Sequence, residues 1–334
     1  MKIDIFNHIF PKIYYDKMME INPDLVDIGK RVRDVPVLFD LDARFRCMDK
    51  FNDYAQVICL AAPPLELLAS PDVTPDLAKA ANDGMAEYVA RYSDRFPAFI
   101  ASLPMNNPDA SVEEIDRAVK DLHAVGIQCF TNVNDKPLDL PEFKPVFAKM
   151  AEHDLPIWIH PSRTARFPDY LTETKSKYEI WWTFGWPYDT SVMMARIVFA
   201  GYFDEYPNLK IITHHMGGMV PYFEGRVGPG WDQLGARTSD EDYSGILKGL
   251  KRPHLDYFKM FYADSALFGS LSGTQCGLDF FGVNHVLFAS DSPFDPEKGP
   301  GYIRETIRVV DALPISPEER RMIYEGNARR LLKL

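Results

Sequence analysis

The sequence predicts an α/β fold, a (β/α)8 TIM-like barrel with long loops after its first and fifth strands. Three observations predict it. Eight short apolar or β-branched runs recur along the chain, stretches of helical periodicity separate them, and the first run ends in Phe6-Asn7-His8 rather than in a glycine-rich phosphate turn. Alternating strands and helices imply parallel pairing through right-handed crossovers. The competing architecture, an open doubly wound sheet, usually has fewer strands and often opens on such a glycine turn.

The candidate strands are residues 2–6, 55–61, 98–103, 126–131, 156–160, 209–213, 259–263 and 285–290. Between the second and third, Leu77, Ala80, Ala81, Met85, Tyr88 and Val89 repeat at helical spacing. Val192, Met193, Arg196, Ile197 and Val198, with Phe203, do the same before the sixth. Two connections are long, residues 9–42 and 161–188. Both leave the C-terminal ends of strands, the face on which barrel active sites form, and loops there shape a pocket. Residues 314–334 read as a closing helical cap. With 334 residues the chain exceeds the roughly 250 of a plain barrel, which loop insertions accommodate. Neither linker nor repeat divides it, so residues 1–334 read as one domain.

Composition narrows the function. Hydrophobic residues make up 46% and charged residues 25%, enough for a sizeable core. A net charge of -11 opposes phosphate backbones and anionic lipid, so neither nucleic acid nor membrane is expected as a partner. A small anionic substrate stays open, because a local pair of arginines overrules global charge in a dry cleft. Cys47, Cys59, Cys129 and Cys276 are widely separated, form no CxxC pair and read as reduced core residues. The first residues read as a strand and no apolar run approaches about 18 residues, so a cytoplasmic location is expected.

His8, His160, His215 and Asp291 each fall just after a candidate strand: the first, fifth, sixth and eighth. In a barrel all four converge on one face. Imidazole and carboxylate are good ligands for zinc and similar divalent ions. A lone histidine at a strand end is more often a hydrogen-bonded structural residue, and Asp291 could merely cap a turn before Pro293. Four such residues on one face favour function.

The phrases IDIFNH at 3–8, IWIHP at 157–161, HHMGGMVPYFEGR at 214–226, FYADSA at 261–266, LFASDSPF at 287–294 and GNARRLL at 326–332 together make the chain resemble the amidohydrolase-related family that contains aminocarboxymuconate semialdehyde decarboxylase and aromatic-acid decarboxylases. The resemblance implies a metal held by an HxH pair after strand one, a histidine after strand five and an aspartate after strand eight. His8, His160 and Asp291 occupy three of those places. Phe6, which cannot bind a metal, stands at the fourth, with Asn7 between. The expectation is a divalent ion, zinc or manganese, on three ligands, with a metal-free site as the alternative.

By the same resemblance His215 is the base beside the metal, Asp291 also passes a proton, and Asp264 orients a histidine or caps a turn. His214 points away if the strand continues and reads as a packed residue. Arg163 and Arg166, just after His160-Pro161, suit a substrate carboxylate or simply face solvent. Trp186 belongs to an aromatic stretch that suits either the wall around a planar acid or a homodimer interface. Arg226 resembles a family arginine or makes a salt bridge, and Arg31 or Arg33 answers to an arginine of the long first loop. His123, His153, His254 and His285 read as structural.

The resulting expectation is a carbon–carbon lyase that removes carbon dioxide, with a metal and without oxygen, from an unsaturated or aromatic carboxylic acid. A hydrolase of a lactone, ester or amide, a hydratase, and an inactive ligand-binding barrel are the alternatives.

Overall fold

The computed structural model describes residues 1–26 and 28–334. The strands are β1 (Lys2–Ile9), β2 (Tyr54–Leu60), β3 (Ala98–Phe99), β4 (Ala101–Ser102), β5 (Ile127–Phe130), β6 (Asn132–Val133), β7 (Lys136–Pro137), β8 (Ile157–His160), β9 (Ile211–Thr213), β10 (Tyr262–Asp264) and β11 (Val286–Leu287). One parallel sheet runs β1-β2-β3 and a second runs β11-β10-β9-β8-β5-β4, while β6 and β7 form a small antiparallel hairpin.

Hydrogen bonds join the two parallel sheets at both seams. Between β3 and β4, Ile100 N donates to Ile58 O (2.9 Å) and Ala101 N donates to Gly126 O (2.9 Å), so residues 98–102 serve both sheets. At the other seam Ile5 N donates to Phe288 O (3.0 Å), Asp291 N to Phe6 O (3.1 Å) and His8 N to Ser292 O (2.8 Å). Each of the eight expected runs contains strand, and the pairing is parallel as a (β/α)8 architecture requires.

Two apolar clusters build the interior. Inside the sheets Ile3, Ile5, Phe6, Val57, Trp158, Ile212 and Leu287 pack together; outside them a larger cluster is closed by the helices. The helix Thr74–Arg91 buries Leu77, Ala80, Ala81 and Met85, and Gly185–Phe199 buries Met193, Ile197 and Val198. The closing cap consists of Pro317–Arg321, started by a Ser316/Glu319 capping box, and Asn327–Leu332, whose Ala328, Leu331 and Leu332 join the inner cluster. No helix among the described residues is long and apolar enough to cross a membrane.

One irregularity positions the site. In β1 Asp4 pairs with Gln56 but Asn7 pairs with Ile58, three residues against two, which is a β-bulge. Because strand side chains alternate, the extra residue resets the alternation. Ile3, Ile5 and Phe6 all belong to the inner cluster, and His8 follows Phe6 with its ring 4.8 Å away. Asn7 turns elsewhere, donating through Nδ2 to Asp4 O (3.1 Å) and Val57 O (3.0 Å).

Arg44, fully buried on the helix Leu41–Met48, locks this arrangement. Its guanidinium donates to Val37 O (3.2 Å), Asn7 Oδ1 (3.1 Å), Gln56 Oε1 and His8 O. None of these acceptors is a carboxylate, and burial lowers the guanidinium to about 10. Replacing it by an apolar residue strands four buried acceptors. Arg44→Leu is therefore expected to cost about 3–5 kcal/mol of unfolding free energy, read from urea denaturation. A loss under about 1 kcal/mol would contradict this account.

Candidate active site

Each polar residue of the site sits at the C-terminal end of a barrel strand. His8 lies near the end of β1, His160 ends β8, His214 directly follows β9, Asp264 ends β10 and Asp291 lies four residues beyond β11. His8, His160, His214 and Asp291 each offer one ligand atom, and these atoms lie within 4.8 Å of one another. All four residues are buried.

The second rank of contacts fixes each imidazole. His8 Nε2 is 2.9 Å from Asp291 Oδ1, while its Nδ1 is 3.4 Å from Cys59 Sγ, whose thiol donates to Asn7 O (3.2 Å). Burial, reinforced by Asp291, holds Cys59 well above its ordinary value, as a thiol. His160 Nδ1 meets Pro161 O at 2.6 Å, which requires the proton on Nδ1 and leaves Nε2 free. His214 Nδ1 pairs with Asp264 Oδ2, whose other oxygen accepts His215 N (3.0 Å) and Ala266 N (3.1 Å).

His214 is the largest departure from the sequence reading, which turned it away from the site. The backbone explains the difference. His214 is still extended, but His215 and Met216 both adopt left-handed φ values of 53° and 54°. Alternation ends there, and the two imidazoles come to one side with ring centroids 3.7 Å apart. Gly218, at φ 63°, completes the turn; a Cβ there would lie 2.4 Å from Pro187 O. His215 Nε2 reaches to 3.7 Å from Asp291 Oδ2.

Electrostatics separates the roles. Burial opposes ionisation of Asp291, yet the imidazoles of His214, His215 and His8 beside it hold it well below the usual carboxylate range. His160 is held well below its ordinary value by burial and by the neighbouring His214 and His8. Burial and His214 likewise lower His215. Burial pulls His214 down too, but Asp264 and Asp291 raise it to about 9. The imidazoles of His8, His160 and His214 around the Asp291 carboxylate form a donor set for a divalent cation, which would displace the proton that His214 otherwise carries. Nε2 of His214 and of His215 are buried without a hydrogen-bond partner among the described residues, a lack that a cation taking a lone pair or a polar substrate group would relieve. The residues present thus fit a divalent metal.

A cavity of about 720 Å³ opens against His160 and Asp291. Trp181, Trp182, Trp186, Phe294 and Tyr302 supply apolar wall, and Lys30, Arg31, Lys175 and Lys177 supply positive charge. Trp186 stands 5.1 Å from the His160 ring and 6.3 Å from that of His215. Of the two first-loop arginines, Arg31 lines this cavity and anchors to Phe294 O, whereas Arg33 bonds Leu25 O (3.0 Å).

The other three arginines lie elsewhere. Arg163 covers the Phe167 ring at 4.7 Å and lines a neighbouring cavity with Asp189. Arg166 is exposed and paired with Asp135. Arg226 is exposed and lines a separate groove with Tyr188 and Trp231. Adjacency to His160 in sequence did not carry Arg163 and Arg166 into the cavity: Ala165 between them lines it, but their side chains are held by Phe167 and Asp135. Lys175, Tyr302 and Arg44 were missed; none carries a period or motif that would have marked it.

A family model described as Amidohydrolase matches residues 3–334. The gamma-resorcylate decarboxylase of Rhizobium sp. (strain MTP-10005) is 31% identical over 303 residues, covering 88% of this chain and 87% of that protein. The 2-amino-3-carboxymuconate-6-semialdehyde decarboxylase of Dictyostelium discoideum is 27% identical, covering 100% of this chain and 92% of that protein. Among solved structures, a dihydroxybenzoic acid decarboxylase from Polaromonas sp. JS666, with bound manganese and the inhibitor 2-nitroresorcinol, superposes with a TM-score of 0.80. It is 27% identical and covers 100% of this chain and 97% of that one.

Proposed function

The chain belongs to the amidohydrolase family, and from that premise we propose that it is a carbon–carbon lyase, removing carbon dioxide without oxygen from an aromatic or unsaturated carboxylic acid. One observation carries the reading. A buried His8–His160–Asp291 centre opens onto a cavity walled by three tryptophans and lined by the Arg31 guanidinium. Planar apolar walls select a flat ring, the cation selects its carboxylate, and the charged centre faces the atom that reacts.

His8, His160 and Asp291 would hold a divalent ion, and the donor set suits zinc or manganese. When bound, such an ion supplies Lewis-acid charge against the oxygens of the substrate. The chain's own residues do the rest. Trp181, Trp182 and Trp186 flank the ring and exclude water, while Arg31 fixes the carboxylate end. As the bond from ring carbon to carboxyl carbon breaks, carbon dioxide leaves and the electron pair stays on the ring carbon. That carbon takes a proton that solvent supplies and that the pair formed by His215 Nε2 and Asp291 Oδ2 relays. Asp264 keeps both neighbouring histidines in place, through the His214 ring and the His215 amide.

Two further parts belong to the reading. A homodimer is supported by exposed Tyr170, Leu171, Tyr178 and Phe184 in the loop after β8; a monomer in light scattering would remove it. A cytoplasmic location is supported by four free cysteines.

The deciding test is carbon dioxide release by purified protein with added manganese or zinc. The panel would hold hydroxybenzoates and unsaturated dicarboxylic acids. Release from at least one is expected; none from any would end the proposal. With a turned-over acid in hand, Arg31→Met is expected to raise KM roughly 10- to 100-fold, the worth of a charged hydrogen bond, with kcat within a few fold. An unchanged KM would remove Arg31 from the substrate site.

A further inference from the structure

β1 sends two rings to the mouth of the barrel, Phe6 and His8, and only His8 carries a ligand atom. The Phe6 ring is fully buried and stands 4.8 Å from His8, 5.8 Å from His160 and 4.3 Å from His214. It therefore fills a place beside the centre with a surface that can neither donate nor accept. The imidazole nearest to it is His214, which is 1% exposed.

His214 has the features of a ligand. Its Nδ1 is engaged by Asp264, itself fixed by two backbone amides, so Nε2 is the nitrogen left for a metal, which would displace the proton there. That Nε2 has no hydrogen-bond partner and lies 3.4 Å from Asp291 Oδ1. The His214 ring stacks on His160 with centroids 5.2 Å apart. His160 and His8 are braced the same way, each through Nδ1, by Pro161 O and by Cys59 Sγ. A buried imidazole nitrogen without a partner is costly, and no described residue gives it a hydrogen bond.

We propose that His214 is the fourth ligand of the metal centre, holding from β9 the place that the Phe6 ring leaves without a donor on β1. The assignment rests on reading the buried cluster as a metal centre. It explains why two histidines stand side by side after β9: His214 faces the metal, braced by Asp264, and His215 stays free for proton transfer.

Metal binding by the full-length protein tests it, with Mn2+ in calorimetric titrations and Co2+ for spectroscopy. His214→Ala is expected to weaken Mn2+ binding by about 100-fold, at or beyond the loss seen on removing a ligand's brace. Phe6→His in that background is expected to recover it to within about 10-fold of wild type. His215→Asn should bind Mn2+ as wild type does.

In Co2+-loaded wild type, three exchangeable imidazole N–H resonances are expected outside the diamagnetic range, from His8, His160 and His214. This count needs no variant to fold. Two such resonances, unchanged affinity in His214→Ala, or a loss that Phe6→His leaves unrecovered would each overturn the assignment while the metal centre stands. Wild-type protein that takes up neither Mn2+ nor Co2+ would overturn the metal centre itself, and the assignment with it.

Discussion

Asp291→Asn is expected to lower kcat on a decarboxylated acid by about 10,000-fold or more, because it removes a metal-binding oxygen and a proton carrier together. The carboxylate is the hub of the site. Oδ1 lies 2.9 Å from His8 Nε2 and 3.4 Å from His214 Nε2, and Oδ2 lies 3.7 Å from His215 Nε2. An amide keeps the shape but has one acceptor where the carboxylate has two, and its NH2 cannot bind a cation. Asparagine also tolerates the left-handed φ of 62° at this position, so the backbone should hold. The measurements are kcat and metal per chain, side by side. Turnover within tenfold of wild type would refute the role.

The same substitution has a stability signature. Asp291 is held below the usual carboxylate range in the folded protein, so its contribution is fully present above the unfolded value of about 3.9. It is lost as pH falls through the lower folded value. In chelator-treated protein, the gap in unfolding free energy between wild type and Asp291→Asn should narrow as pH drops below about 3.9. A gap that widened on acidification would mean the carboxylate is not stabilised by its histidines.

Much of this was legible in the chain, and the limits have physical causes. Strand positions follow from apolar runs, which is why the sequence alone sets His8, His160 and Asp291 on one face. Periodicity failed where the backbone stops being periodic. The β1 run was expected to end at Phe6 but reaches Ile9 through a bulge, which keeps Phe6 and His8 on the inner side. His214 was turned outward by extending the alternation of β9 one residue too far, past Thr213, where the left-handed turn begins. Charge was the least legible. Arginines near His160 in sequence went to Phe167 and Asp135, whereas Arg31, from a distant loop, reached the cavity and Arg44 became a buried brace. Nothing in a pattern of residue types says which way a long flexible side chain will turn.

His215→Asn separates proton transfer from metal binding, and it should lower kcat by about 100- to 10,000-fold while KM and metal content stay near wild type. Asparagine is chosen because position 215 has φ 53°, which alanine tolerates less well. The lost ring contacts are with His214 (3.7 Å), Phe268 (5.3 Å) and Trp186 (6.3 Å). What disappears is the nitrogen 3.7 Å from Asp291 Oδ2 that relays the proton. The pH profile adds a second readout. Burial and the neighbouring His214 hold the His215 imidazole below its ordinary value, so it stays neutral down to below about pH 6.5 and charges only in more acid solution. If its charge state governs turnover, wild-type kcat should change through that acid range, and the change should be absent from the variant's residual rate. Wild-type turnover in His215→Asn would pass the proton role to Asp291 alone. A parallel loss of metal would instead mark His215 as a ligand, contrary to the division of labour drawn between the two adjacent histidines.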